Sequence, residues 1–93
     1  MITTDTRPRI ASKARLRFDR QSERYLLLYP ERGLVLSPTA ADVVRLCTGE
    51  HTVATIVERL AEKYADQPRE VIEREVLDFL GAMADRGLVE DAG

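Results

Sequence analysis

Residues 33–37, Gly-Leu-Val-Leu-Ser, form a short apolar stretch without a charge, and they lead directly into a helix start at Ser37-Pro38-Thr39. Serine is favoured at the N-cap, and proline suits the first helical position because its missing N–H would have no partner there. The stretch therefore predicts a strand over Leu34–Leu36 that passes straight into a helix. An uncharged strand at a sheet edge can pair with another chain unless it is covered, so the same segment predicts a docking edge for an extended peptide.

Two further strands are predicted before this one. Residues Arg15–Asp19 alternate strictly, with Leu16 and Phe18 on one face, which is typical of a half-buried strand. Residues Glu23–Tyr29 predict a second strand, and Tyr25–Tyr29 within it are apolar on both faces, which suits a central strand. The turn Pro30–Gly33 joins the second strand to the third, and we expect Gly33 to take the left-handed conformation there.

The three strands thus form a predicted antiparallel meander with the first and third strands at its edges. Arg15 and Arg17 place charges on the first edge, which discourages pairing with another chain. The third edge has no such charge. Because a strand buries one face, Leu34 and Leu36 are expected to be partly in the core, and Val35 faces the other way.

Apolar residues at helical spacing predict three helices after the sheet. The first follows Ser37, the second has Thr52 as its N-cap, and the third starts after Asp66-Gln67-Pro68 and stops at Gly87. Their expected buried stripes are Ala40, Val43, Val44 and Cys47; Val53, Ile56, Val57, Leu60 and Tyr64; and Ile72, Val76, Phe79, Leu80 and Met83. Leu88-Val89 either adds a short strand or packs beneath the sheet.

The predicted fold class is α+β, a winged helix-turn-helix-like domain with a three-stranded antiparallel sheet followed by three helices. The length of 93 residues fits one domain. Residues 1–9 are polar and show no periodicity, so we expect a flexible N-terminal arm there and the domain itself over residues 10–93.

Charge is distributed unevenly along the chain. Residues 1–30 hold seven Lys/Arg and three Asp/Glu, a balance of +4, whereas residues 31–93 hold seven and thirteen, a balance of −6. The single cysteine, Cys47, cannot form an internal disulfide, which favours a reducing, cytoplasmic location. No apolar run approaches the roughly 18 residues of a membrane span, so no membrane association is predicted.

No pattern typical of catalysis or metal binding occurs in the chain. His51 is the only histidine and follows a helix break, and Cys47 lies on an apolar stripe. The carboxylates of the third helix, from Glu70 to Asp78, alternate with arginines as on a solvated helix face. Gly-rich phosphate loops and Ser-His-Asp patterns are absent from the sequence. We therefore expect a binding protein without a cofactor rather than an enzyme.

Several segments together resemble the PqqD family, in order and in spacing, over residues 7–89. The segments that carry the resemblance are Arg7–Ile10, Arg15–Asp19, Leu28–Ser37, Thr39–Val44, Leu46–Val57, Val76–Leu80 and Arg86–Val89. The resemblance implies a role in making the quinone cofactor pyrroloquinoline quinone (PQQ). Family members act as peptide chaperones: they bind the ribosomally made precursor peptide PqqA and present it to the radical-SAM enzyme PqqE.

The resemblance also implies where the peptide binds, as a strand beside the third strand in a groove that the third helix lines. Carried over to this chain, the sheet side is Leu34, Val35, Leu36 and Ser37. The helix side lies within residues 70–80, where the candidates are Ile72, Glu73, Val76 and Leu80. Arg15 and Arg17 are the candidates for the surface that meets the enzyme, on the basis of charge alone.

Other functions remain open at the level of sequence. The chain could be the recognition element of another peptide-modification pathway. A winged helix could also bind DNA, but the third helix, from Asp66 to Arg86, holds three arginines and six carboxylates, which does not suit a phosphate backbone. The third strand could instead pair with its own copy, so both a monomer and a homodimer, including a domain-swapped one, are compatible with the sequence.

Overall fold

The computed structural model describes residues 1–93. It has five strands and three helices in the order β1 (Pro8–Ile10), β2 (Arg15–Asp19), β3 (Arg24–Tyr29), β4 (Arg32–Leu36), α1 (Pro38–Leu46), α2 (Val53–Lys63), α3 (Arg69–Asp85) and β5 (Val89–Asp91). The predicted meander is the antiparallel sheet β2-β3-β4, and the three helices follow it. The α+β fold class is confirmed.

The β3–β4 hairpin closes more tightly than the sequence predicts. Tyr29 pairs with Arg32, so the loop contains only Pro30 and Glu31. The expectation that Gly33 adopts the left-handed conformation is wrong, because Gly33 lies inside β4 and is not among the residues with positive φ. A Cβ at this position would lie 2.9 Å from Cδ2 of Leu28 on the paired strand, so a larger residue there would require the Leu28 side chain to move.

A second, two-stranded sheet joins the two ends of the chain. β1 pairs antiparallel with β5, so Leu88-Val89 leads into a strand. The backbone oxygen of Thr6 accepts a 2.8 Å hydrogen bond from the N–H of Val53, and Thr6 and Pro8 are buried. The structure therefore differs from the prediction of a flexible arm over residues 1–9. This segment gains its partners from residues far along the chain, which local polarity cannot reveal.

Side-chain caps fix the starts of α1 and α2. The Ser37 hydroxyl accepts a 3.1 Å hydrogen bond from the N–H of Ala40, and the Thr52 hydroxyl accepts a 3.2 Å bond from the N–H of Thr55. Both predicted caps are thus confirmed, and each is worth about 1 kcal/mol. At the other end of the helical region, Gly87 has φ of +72° after α3, the conformation expected of a helix stop.

The core lies between the helices and the inner face of the meander. Sixteen buried residues form one cluster: Leu27, Leu36, Ala41, Val43, Val44, Cys47, Val53, Ile56, Val57, Leu60, Ile72, Val76, Leu80, Met83, Leu88 and Val89. Ala41 takes the buried position on α1 that we expected for Ala40, while Tyr64 and Phe79 are only half-buried. Burial raises the pKa of the Cys47 thiol to about 12, so this thiol is not reactive.

Asp42 connects α1 to the end of α2. Its carboxylate accepts a 2.6 Å hydrogen bond from the hydroxyl of Tyr64 and a 3.0 Å bond from Nζ of Lys63. Burial by itself raises the pKa of the Asp42 carboxyl, but the bonds from Tyr64 and Lys63 outweigh it and hold this pKa below its usual range. The ionised carboxylate therefore stabilises the contact between the two helices.

Replacing the Asp42 carboxylate should make the free energy of unfolding less dependent on pH in the acidic range. Because the folded-state pKa of Asp42 is depressed, its contribution is present above the unfolded-state pKa and is lost as pH falls below about 4. We expect Asp42→Asn to lower the free energy of unfolding by about 1 kcal/mol at pH 7 and to approach wild type near pH 3. Urea unfolding between pH 3 and 7 measures this, with Asp66→Asn, an exposed loop carboxylate, as the control. A constant difference across this pH range would contradict the role of the ionised form.

Candidate functional site

β4 is one of the two edge strands of the meander. β4 pairs only with β3, so its other side has no partner strand. In an antiparallel pair of strands, residue pairs that share two backbone hydrogen bonds alternate with pairs that share none. The two-residue loop makes Tyr29 and Arg32 a hydrogen-bonded pair. Leu34 and Leu36 then bond to β3, whereas the amide groups of Gly33 and Val35 point outward. The N–H of Ser37, the next alternate position, donates no backbone hydrogen bond either.

The side chains of β4 divide between the two faces of the sheet. Leu36 is 4% exposed and belongs to the core, and Leu34 is half-buried beside it. Val35 is 61% exposed and lies on the outer face. Its cross-strand neighbour is the half-buried Leu26 of β3, which in turn pairs with Arg17 of β2. An extended chain added at this edge would therefore meet an apolar row through Val35 and Leu26.

On the helix side, three of the four candidate residues support the fold rather than face solvent. Ile72, Val76 and Leu80 are at most 2% exposed and belong to the core cluster. Their side chains hold α3 against the rest of the domain, and Glu73 is the one candidate of the four that is more than marginally accessible. An apolar stripe at helical spacing marks burial, and it does not separate core residues from those that line a groove.

A shallow depression lies between α1 and α3, and Ser37, the residue directly after β4, lines it. Its volume is about 130 Å³, and it is lined by Ser37, Thr39, Ala40, Val43, Glu75, Val76 and Phe79. Ser37 and Val76 are both site candidates from the sequence. Glu75 and Phe79 are not among the site candidates named from the sequence. The position of Phe79 at the border of the apolar stripe is a signal that its side chain is partly accessible. We call this depression, together with the free edge of β4, the edge groove.

The exposed face of α3 is acidic. Glu70, Glu75 and Asp78 are exposed there, and Arg74 is the one cation among them. Arg69 at the start of α3 is 2.6 Å from a carboxylate oxygen of Glu58 on α2, so its charge is paired. This helix would repel a phosphate backbone, which is the opposite of what a DNA-recognition helix needs.

Arg15 and Arg17 lie on the outer face of β2, at the opposite edge of the sheet from β4. Both are exposed, and neither has a carboxylate within 4.0 Å. With strands about 4.8 Å apart, the two edges are separated by roughly 10 Å. The arginines therefore leave the free edge of β4 unobstructed.

Two negative findings complete the description of the surface. No group of three or more His, Cys, Asp or Glu residues is arranged so that it could hold a metal ion. None of the three helices combines the length and the apolar character that crossing a bilayer requires.

Known proteins with this architecture carry the same sequence pattern. The family model for coenzyme PQQ synthesis protein D (PqqD) matches residues 24–89. The "PqqA binding protein" of Bradyrhizobium diazoefficiens is 36% identical over 91 residues, which cover 98% of this chain and 87% of that protein.

Two solved structures are similar over almost the whole chain. The solution structure of the PqqD part of Methylobacterium extorquens PqqCD, described as a functional, stand-alone recognition element for ribosomally synthesized and post-translationally modified peptides, is 32% identical. It has a TM-score of 0.82, with 97% of this chain and 95% of that chain covered. The crystal structure of PqqD from Xanthomonas campestris is 28% identical with a TM-score of 0.57, covering 95% and 97%. With the family match over residues 24–89, these similarities show that the chain belongs to the PqqD family.

Proposed function

We propose that this chain binds the precursor peptide PqqA along the free edge of β4 and presents it to the radical-SAM enzyme PqqE during PQQ biosynthesis. The observation that carries the proposal is the unpaired edge of β4, where residues 33–37 have no charge and Ser37 leads to the depression beside α3. The names of similar proteins support it, since they are described as PqqA-binding proteins and as a peptide recognition element. In this role the chain binds and positions a substrate, and the chemistry belongs to its partner.

Main-chain hydrogen bonds would supply part of the affinity. Gly33 and Val35 offer two N–H and two C=O groups to an added strand, and four such bonds contribute roughly 2–6 kcal/mol net. Burying two leucine-sized side chains adds about 1.5–3 kcal/mol each, and ordering the peptide offsets a large part of the sum. A dissociation constant near 1 μM, about −8 kcal/mol, is therefore reasonable.

Side chains of the peptide would then alternate between two environments. Residues that face the outer side of the sheet would pack against Val35 and Leu26, and residues that face inward would approach Ser37 and Phe79. Glu75 lies at the inward position and favours a cationic or hydrogen-bonding group there. Recognition of the peptide thus combines backbone pairing, which tolerates many sequences, with a few side-chain contacts that select among them.

The recognition element of another peptide-modification pathway is the second candidate function. The specific reason is that backbone pairing at Gly33 and Val35 carries no sequence information, so the same edge suits any extended peptide whose alternate side chains fit. A comparison of PqqA with unrelated precursor peptides distinguishes the two, since the proposal requires that PqqA binds most tightly.

Docking of the enzyme is assigned to the basic outer face of β2. Arg15 and Arg17 lie away from the free edge, so PqqE could contact them while PqqA occupies β4. Unpaired surface charges of this kind affect association with a partner more than they affect the fold. The acidic face of α3 is the other charged surface that a basic part of the enzyme could meet.

Proline at position 35 tests the edge directly. Because the Val35 N–H points away from β3, Val35→Pro removes a donor from the free edge without removing a bond from the β3–β4 ladder. We expect a folded variant whose dissociation constant for PqqA rises about three- to tenfold, measured by isothermal titration calorimetry. Val35→Thr, which keeps the N–H and the branched shape, is the control and should bind close to wild type. A folded proline variant with wild-type affinity would rule out pairing at this edge.

Reversing the charges at Arg15 and Arg17 should separate the two partners. We expect Arg15→Glu combined with Arg17→Glu to weaken binding to PqqE by about fivefold or more while PqqA affinity changes less than twofold. Biolayer interferometry with each partner measures both. Arg86→Glu, which reverses an unpaired charge at the end of α3, is the control and should leave both affinities unaltered. Equal losses for PqqA and PqqE in the first variant would refute the assignment.

A further inference from the structure

A second depression lies on the opposite side of α1 from the edge groove. Its volume is about 460 Å³, and we call it the hairpin cleft because the β2–β3 hairpin forms one wall. The first turns of α1 separate the two sites: Thr39, Ala40 and Val43 line the edge groove, whereas Pro38, Ala41, Asp42 and Arg45 line the cleft. Its other lining residues are Phe18, Ser22, Glu23, Arg24, Tyr25, Leu36 and Lys63.

Aromatic rings form one wall of the hairpin cleft. Phe18 is 46% exposed, and its ring meets that of Tyr25 edge-to-face with centroids 5.0 Å apart. The guanidinium of Arg45 lies 5.7 Å from the centroid of the Tyr25 ring. Phenylalanine, tyrosine and arginine are the residues enriched at protein interfaces, and tyrosine and arginine often carry much of the binding energy. The cleft therefore offers an apolar contact beside a fixed positive charge.

Cations on this surface outnumber carboxylates. Arg24 and Arg45 have no carboxylate within 4.0 Å, whereas Lys63 is paired with Asp42. A smaller adjoining depression shares Asp42, Arg45 and Lys63 and adds Arg59, which is also unpaired. The joined surface thus has four cations and two carboxylates on a chain whose net charge is −2. A local excess of positive charge attracts anionic ligands.

We propose that the hairpin cleft docks an acidic segment of a protein partner that carries an aromatic or large apolar side chain. The apolar side chain would pack against the rings of Phe18 and Tyr25, and a flanking carboxylate would pair with Arg45. This site is separate from Arg15 and Arg17, which lie on the other face of the sheet. Apart from Leu36, no lining residue of the cleft belongs to β4 or the edge groove, so the proposal does not depend on the peptide-binding function.

A titration of the full chain with two short peptides tests the cleft. The probes are the acetylated, amidated peptides EFELE and KFKLK, which share their apolar residues and differ in charge, followed by ¹H–¹⁵N NMR of labelled protein. We expect EFELE to shift the amide signals of Phe18, Tyr25 and Arg45 saturably, with a dissociation constant below about 1 mM. The affinity should fall as salt rises, and KFKLK should not saturate.

Variants of one arginine then test the charge. Arg45→Gln and Arg45→Glu should weaken EFELE binding, the reversal by about fivefold or more, while Arg74→Glu on α3 should leave it unaltered. The dispersion of the NMR spectrum reports that each variant is folded, and Arg45→Gln keeps the test valid if the reversal disturbs the fold.

Four outcomes would overturn the proposal. One is the absence of shifts at 5 mM EFELE, and another is equal binding of KFKLK. The third is seen without any peptide: signals of the cleft and of residues 70–78 of α3 shift together when the protein is concentrated. Such shifts would assign the cleft to a second copy of this chain. Shifts confined to residues 33–37 would likewise place the acidic peptide on β4 and not in the cleft.

Discussion

The register between β3 and β4 determines both which side chains enter the core and which backbone groups face outward. The loop of Pro30 and Glu31 closes the pair Tyr29–Arg32, and every later pair on the two strands follows from it. A shift of one residue would exchange the two faces of β4. Leu34 and Leu36 would then leave the core, and Val35 would enter it. The same register decides which amide groups bond to β3 and which point outward, so the fold and the candidate site have one origin.

Burial on the inner face of the sheet explains why this register is maintained. Leu27 and Leu36 are almost fully buried against the helices, and the cap at Ser37 starts α1 directly after β4. The polypeptide thus passes from edge strand to helix without a flexible connection. A rigid edge loses little conformational freedom when a peptide pairs with it, which favours binding by preorganisation. The edge can therefore be uncharged over residues 33–37 and accessible while the domain itself remains well packed.

Local signals in the sequence predicted most elements, and the errors arise where distant residues meet. The caps at Ser37 and Thr52 and the three strands of the meander could be located because their patterns lie within a few residues. The pairing of β1 with β5 joins segments about 80 residues apart, so the N-terminal segment looked flexible. For the same reason, the apolar stripe of α3 could not show that Ile72 and Leu80 are buried in the core while Phe79 lines the edge groove. Which side of a helix faces a groove depends on how the helices pack, and hydrophobic periodicity does not contain that information.

Amide hydrogen exchange, resolved by residue, shows whether PqqA pairs with the free edge of β4. In the free protein the Gly33 and Val35 amides should exchange rapidly, since they point away from β3, whereas those of Leu34 and Leu36 should be protected by the ladder. Saturation with PqqA should slow exchange at Gly33 and Val35 by about tenfold or more and change Leu34 and Leu36 little. If PqqA binds and exchange at Gly33 and Val35 remains as fast as in the free protein, the peptide does not pair with this edge and the account of the site is wrong.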